Sequence, residues 1–343
     1  MLRKRTLLPA ALGLVFTVVA AACGSASGTA DTTSITLYSG QHPQTVASLV
    51  SAFEKQTGIQ VRVRSDDEDV LAAQIAQEGS HSPADVFLTE NSPPLMDLQQ
   101  RGLLAPVDAS TLAKTPSKDN SPQGDWLGIS ARVSVMVYNT KDLKASQLPS
   151  SVLDLAKPEW KGKLGLAPSE TDFQPVVTAV ALEYGDARAV AWLKALEANA
   201  EGHLYPDNET LVSEVNGGRV QIGVINHYYW YRLRDEIGAG AVHSAEKFFA
   251  PHDPGYVIDV SGAGILKSSS HQAEDQKFLA FLVSKQGQEV LAHSESYEYP
   301  LGSGVKTAKP LYPYSKLQPD PITLTQLGTG QHAIALLREA GLL

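Results

Sequence analysis

Ile35-Thr36-Leu37-Tyr38-Ser39-Gly40-Gln41-His42-Pro43 is the stretch that decides the fold. Its first four residues read as a short strand and Ser39 to His42 as a turn. Pro43 suits a first helical position, where its fixed φ and missing N–H cost nothing. Val46, Leu49, Val50 and Phe53 then recur at the spacing of one helix face. Gly58 fits a helix stop, and Ile59-Gln60-Val61-Arg62-Val63 alternates as a second strand. Strand, helix and strand in this order make a β-α-β unit, and open α/β sheets place ligands at the turn after the first strand. That turn carries His42.

The pattern repeats outward from there. Asp69 to Gln77 reads as a helix and Asp85-Val86-Phe87-Leu88 as a strand. Thr89-Glu90-Asn91 follows as a turn before a helix begun by Pro93. His42 and Glu90 therefore both sit just past strand ends, on one sheet edge if the strands are parallel. Val133 to Tyr138 is a strong strand, expected to cross between two lobes. A second α/β unit begins near Leu153, with strands at Lys163–Ala167 and Val220–Ile225 and helices at Phe173–Tyr184, Ala187–Glu197 and Glu209–Asn216. Val257–Val260 and Gly264–Leu266 look like a return crossing, and Ala333 to Ala340 a last helix. The expected architecture is α/β and two-lobed, the periplasmic-binding-protein fold, with a hinge of crossing strands and an interlobe cleft. One lobe is expected from residues 34–131 plus 258–308 and the other from 132–257 plus 309–343. Such clefts are default ligand sites, and hinge closure is their standard motion.

The apolar strand Val220–Ile225 runs into adjacent Tyr228 and Tyr229. In a continuing strand their side chains would point to opposite faces; at a strand-to-helix junction they can converge. Two phenolates would suit a highly charged hard cation better than zinc or copper(I). The plainer reading of such a pair is a half-buried packing contact with bonded hydroxyls.

Composition narrows the classes. Arg3, Lys4 and Arg5 precede an apolar stretch, Leu7 to Ala22, shorter than the ~20 residues of a membrane span. With Ala20-Ala21-Ala22 before Cys23, residues 1–22 read as a secretory signal. Cys23 is the only cysteine, which excludes an intramolecular disulfide and a thiolate metal cluster. The run Gly24 to Thr29 reads as a tether, so 23–33 is expected to be flexible. Removing the three basic residues of the signal takes the formal charge from −9 to −12. That acidic balance argues against nucleic acid, which needs a basic face.

Several segments together resemble the ferric-iron-binding proteins of ABC iron importers, the bacterial transferrin group. They are Ile35 to His42, Ser82-Pro83-Ala84-Asp85-Val86-Phe87, Glu90, Lys157-Pro158-Glu159-Trp160-Lys161, Ile225-Asn226-His227-Tyr228-Tyr229-Trp230, Asp253-Pro254-Gly255, Ser261-Gly262-Ala263-Gly264 and Glu298-Tyr299-Pro300-Leu301. The resemblance spans nearly all of the mature chain. It implies an exported monomer that captures iron(III) and delivers it to an ABC permease. It also implies lipid on Cys23, anchoring the chain to the cell membrane on its periplasmic or extracellular side. The implied metal ligands are His42, Glu90, Tyr228 and Tyr229. A small anion, carbonate or phosphate, completes coordination in the family, and the matching contacts here are Arg132, Asn91, Asn208 and Asn226. The family's small glycine-containing anion loop is replaced by Ser169-Glu170-Thr171-Asp172, whose two acids would repel phosphate. By default both acids would face solvent.

Two rival readings stay open. The cleft could hold an organic ligand such as a phosphonate or polyamine between the tyrosine rings. A secreted hydrolase could use Glu90 and Asp172 as a carboxylate pair. Neither G-x-S-x-G, H-E-x-x-H nor a P-loop occurs. Gly262-Ala263-Gly264 reads as close packing, Asn208-Glu209-Thr210 as a helix start, and Trp126, Trp160 and Trp192 as core.

Overall fold

The computed structural model describes residues 33–343. The expected signal, Cys23 and all of the tether but Thr33 lie outside them. β1 (Ser34–Ser39), α1 (Pro43–Thr57) and β2 (Gln60–Ser65) form the opening unit, with Pro43 starting α1 and Gly58 closing it at φ 74°. α2 (Glu68–Glu78), β3 (Val86–Thr89) and α3 (Ser92–Gln100) repeat it. β4 (Leu104–Ala105) and α4 (Ala109–Leu112) lead to β5 (Trp126–Asn139), whose 14 residues are all buried. The second unit follows as β6 (Leu164–Gly165), α5 (Gln174–Tyr184), α6 (Asp186–Ala200), α7 (Asn208–Gly217), β7 (Ile222–Asn226) and α8 (His227–Ile237). β8 (Ser244–Lys247) and β9 (Ile258–Leu266) come next. α9 (Gln272–Leu282), α10 (Lys285–His293), β10 (Tyr299–Pro300), α11 (Leu324–Leu327) and α12 (Gln331–Ala340) complete the chain.

The strands run in the order β2-β1-β3-β9-β5-β7-β6, with β4 on β9 and both β8 and β10 on β5. β1 pairs in parallel with β2 and with β3, so the turns after β1 and β3 share an edge. β5 pairs with β9 as far as Val133 and with β7 from Ser134 onward. One strand thus serves two halves of the sheet, as a crossing strand in a two-lobed α/β fold must. β5 is buried along its whole length, and its polar residues Ser130 and Arg132 are paired with Glu298 rather than solvated.

The return crossing, read from sequence as two pieces, is the single strand β9. Its apolar run is broken by Gly262 and Gly264 because there is no room for side chains. A Cβ on Gly262 would lie 2.7 Å from Leu95 Cδ1 and 3.0 Å from the Leu127 carbonyl oxygen. The predicted face of α1 is buried, with Phe53 against Phe278 and Phe281 at ring separations of 5.0 and 5.6 Å. Each such side chain contributes ~1.5–3 kcal/mol by leaving water. Trp126, Trp160 and Trp192 are core residues. Among the described residues no helix is long and apolar enough to cross a membrane.

Candidate metal centre

His42 immediately precedes α1, in the turn after β1, without a side-chain capping bond. Its Nδ1 lies 2.6 Å from Glu90 Oε1 and 2.7 Å from Gln41 Oε1. Both partners are acceptors, so Nδ1 carries a proton. Glu90 occupies the turn after β3, and its other oxygen lies 3.1 Å from Arg132 Nη1 and 3.2 Å from the Tyr228 hydroxyl. Burial works against charge on Glu90, but the charges and hydrogen bonds of His42 and Arg132 prevail and hold its carboxyl down at about 2.

The Glu90 turn is clamped by Glu68, a buried residue that sequence reading missed. Its carboxyl oxygens accept from the backbone N–H of Glu90 at 2.6 Å, that of Asn91 at 3.0 Å and the Asn91 side-chain amide at 2.9 Å. Burial, with the Glu90 and Asp69 charges, raises the Glu68 carboxyl to about 8. Glu68 also packs where a Cβ on Gly40 would stand, 2.5 Å from its own Cβ. One side chain thus braces the turns that carry both His42 and Glu90.

β7 ends at Asn226 and α8 begins at His227, so Tyr228 and Tyr229 lie in a first helical turn. Their rings are 4.2 Å apart at 37°, and His42 stands edge-on to Tyr228 at 5.2 Å. Both tyrosines are buried. Burial first, and then the charges of Asp172 and Glu90, push both phenols well above their ordinary range. His227 is buried beside them, and burial lowers its imidazole to about 3, keeping the ring neutral.

The default for Asp172 is corrected: it does not face solvent. Only 6 % of Asp172 is exposed, and its Oδ2 lies 3.1 Å from the Tyr228 hydroxyl. Asn91 donates to it at 2.9 Å and Asn208 at 3.2 Å. Arg132, fully buried, reaches it at 3.7 Å and also forms an ion pair with Glu298. Three of the four expected anion contacts, Arg132, Asn91 and Asn208, are therefore engaged by a carboxylate of the chain itself. Asn226 is buried at the start of α8 without a side-chain capping bond. Glu170 is half-buried on the cavity wall.

Glu298 is a second missed residue. It binds Arg132 and Ser130 and accepts from Gln41 Nε2 at 3.2 Å. Its only signal in sequence lies within the resemblance. The cavity beside these groups has a volume of about 460 Å³ and is lined by His42, Glu90, Tyr229, Glu170, Asp207 and Glu209 among others, with no lysine or arginine among the described residues. Another cavity, of about 360 Å³ near His252, shares none of these residues.

The donor set fits a hard trivalent cation: one imidazole nitrogen, carboxylate oxygens and two phenol oxygens that a metal would deprotonate. No group of three or more His, Cys, Asp or Glu side chains among the described residues is arranged to hold a metal. Any metal site here would have to draw on the two phenols beside the His42–Glu90 pair.

A two-lobed α/β fold with a crossing strand and a polar cavity is the architecture of a solute-binding protein. The chain belongs to the bacterial extracellular solute-binding proteins, whose family pattern matches residues 81–319. It is 41% identical to the Fe(3+)-binding periplasmic protein of Serratia marcescens, over 94% of each chain. Iron-bound HitA from Pseudomonas aeruginosa superposes with a TM-score of 0.86 at 40% identity, covering 90% of this chain and 99% of that one. The Trichodesmium protein IdiA (FutA), in complex with iron and citrate ligands, gives 0.78 at 31% identity over 90% and 100% of the two chains. The resemblance to ferric-iron-binding proteins drawn from the segments above thus holds.

Proposed function

We propose that the chain captures iron(III) in its cleft through His42, Glu90, Tyr228 and Tyr229 and hands it to an ABC permease. The observation that carries this reading is the meeting of two vicinal phenols with His42 and Glu90 in one buried cluster. In this reading, residues 34–131 plus 258–308 form the lobe that brings His42 and Glu90. Residues 132–257 plus 309–343 form the lobe that brings the tyrosines, and lipid on Cys23 keeps the protein at the membrane. The change of β5 partner between Val133 and Ser134 supports a hinge there.

Asp172 supplies the anionic oxygen that carbonate or phosphate would otherwise bring. Its carboxylate already takes Asn91, Asn208 and Arg132. A phosphonate in this cavity would face carboxylates without a lysine or arginine on the wall among the described residues, which disfavours that ligand but not a polyamine. Hydrolysis by a carboxylate pair needs one acid held protonated near neutral pH. Glu90, at about 2, is poorly suited to that role.

The test is a visible absorption titration of chelator-stripped protein with ferric citrate. A tyrosinate-to-iron band that saturates at one metal per chain and disappears in Tyr228→Phe/Tyr229→Phe is expected. A flat spectrum in the wild type sinks the iron reading.

A further inference from the structure

We infer that His227 is the positioning residue that ties the tyrosine pair to the crossing strand; this rests on the iron reading above. Its imidazole is buried at the first position of α8. Nε2 lies 2.9 Å from the Tyr297 carbonyl oxygen, which can only accept. Nδ1 lies 3.4 Å from the Val133 backbone nitrogen, whose N–H can only donate. Together these partners select the ring with its single proton on Nε2. Val133 is the last residue of β5 paired with β9, immediately before the strand turns to β7.

The ring's other contacts lead to the same places. It stacks on Tyr299 at 4.9 Å and 19°, and Tyr299 pairs with Ala131 of β5. Tyr228 stands at 78° to it, 5.9 Å away. The carbonyl it binds belongs to Tyr297, whose φ of 55° lies in the left-handed region. A residue with a side chain is kept there only where its surroundings hold it. They do: the Tyr297 ring stacks on Tyr231 at 5.2 Å, and its hydroxyl donates to Asp235, both on α8. The next residue, Glu298, holds Arg132. The strap from Tyr297 to Tyr299 therefore touches α8, the crossing strand and the arginine under Tyr228. His227 is the rigid ring joining strap and strand to the first turn of α8. A shift of β5 against the strap reaches the phenols through this ring, and outer contacts of this kind orient metal ligands.

Two variants separate positioning from bulk packing. His227→Phe keeps a stacking ring and loses both hydrogen bonds; His227→Gln restores an N–H donor that can reach the Tyr297 carbonyl. With iron(III) loaded, His227→Phe is expected to shift the tyrosinate-to-iron band and release iron to a competing chelator about tenfold faster than wild type. His227→Gln should recover most of both properties. A wild-type band and release rate in His227→Phe overturns the inference, as does a His227→Gln that is no better than His227→Phe. If His227→Phe does not fold, nitrogen-15 NMR of the wild-type imidazole in metal-free protein decides. A ring protonated on Nε2 alone supports the inference, and one protonated on Nδ1 overturns it. Absence of the band in wild type fails the iron reading itself, a result distinct from a band that His227 does not influence.

Discussion

The carboxylate of Asp172 lies 3.1 Å from the Tyr228 hydroxyl, although the two residues come from separate elements of the second α/β unit. On the proposed reading Asp172 takes the place of the family's small anion, where the loop departs from the family's small residues. Asp172→Ala should convert an anion-independent site into an anion-dependent one. In buffer free of phosphate and carbonate, iron(III) affinity is expected to fall by at least about tenfold, with partial recovery when millimolar phosphate is added. Chelator competition in the two buffers measures this. An Asp172→Ala protein with wild-type affinity in both shows that the carboxylate is not a ligand.

Proton release sets the pH dependence of binding. Both phenols are held well above their ordinary range by burial and by neighbouring acids. They are protonated across the physiological range until a metal displaces those protons. Each proton lost on binding makes affinity rise about tenfold per pH unit. Two phenols predict a rise of up to ~100-fold per unit on the same basis. Glu90, at about 2, is ionised throughout and contributes nothing to that slope above pH ~3. Conditional affinity measured between pH 5.5 and 7.5 should therefore climb steeply with pH. A flat profile shows that the phenols are not the ligands.

Glu68 braces the Glu90 turn without a position in the donor set. Glu68→Ala removes the acceptor for two backbone N–H groups and one amide, so the turn should loosen. Iron affinity is expected to fall about tenfold with the charge-transfer band retained. Absorption and chelator competition on one sample check both halves, and wild-type affinity in Glu68→Ala instead shows that the turn holds without this brace.

Local signals made the β-α-β frame legible. Pro43, Gly58 and the Val46-Leu49-Val50-Phe53 face each act within a few residues, and they placed His42 and Glu90 on one edge. The tyrosines were legible because an apolar strand running into two phenols is unusual. The roles of Glu68, Asp172 and Glu298 depended on burial and on distant partners. Asn91 meets Asp172 across 81 positions, and Arg132 meets Glu298 across 166. An acid in a loop is ordinarily solvated, and only the folded chain brings these ones to their partners. β9 looked like two pieces because Gly262 and Gly264 interrupt its apolar run, and the crowding that excludes side chains there is a property of the assembled sheet.

Asp275 gives a stability test remote from the cleft. It is fully buried on α9, accepts from Ser269 at 2.6 Å, and its second oxygen has no partner among the described residues. Burial, aided by the Asp85 charge and opposed by the Ser269 bond, raises its carboxyl from 3.8 to about 7. The folded chain therefore keeps a proton that the unfolded chain gives up above about pH 4. Stability from this group is complete below that point and is lost as pH rises toward 7, because the unfolded state then binds fewer protons. Asp275→Asn stays neutral at every pH and removes that loss. Metal-free Asp275→Asn should melt several degrees above wild type at pH 8 and close to it at pH 4. Melting curves at the two pH values decide the matter, since an equal shift at both would mean that shape or hydrogen bonding, rather than the buried charge, controls this site.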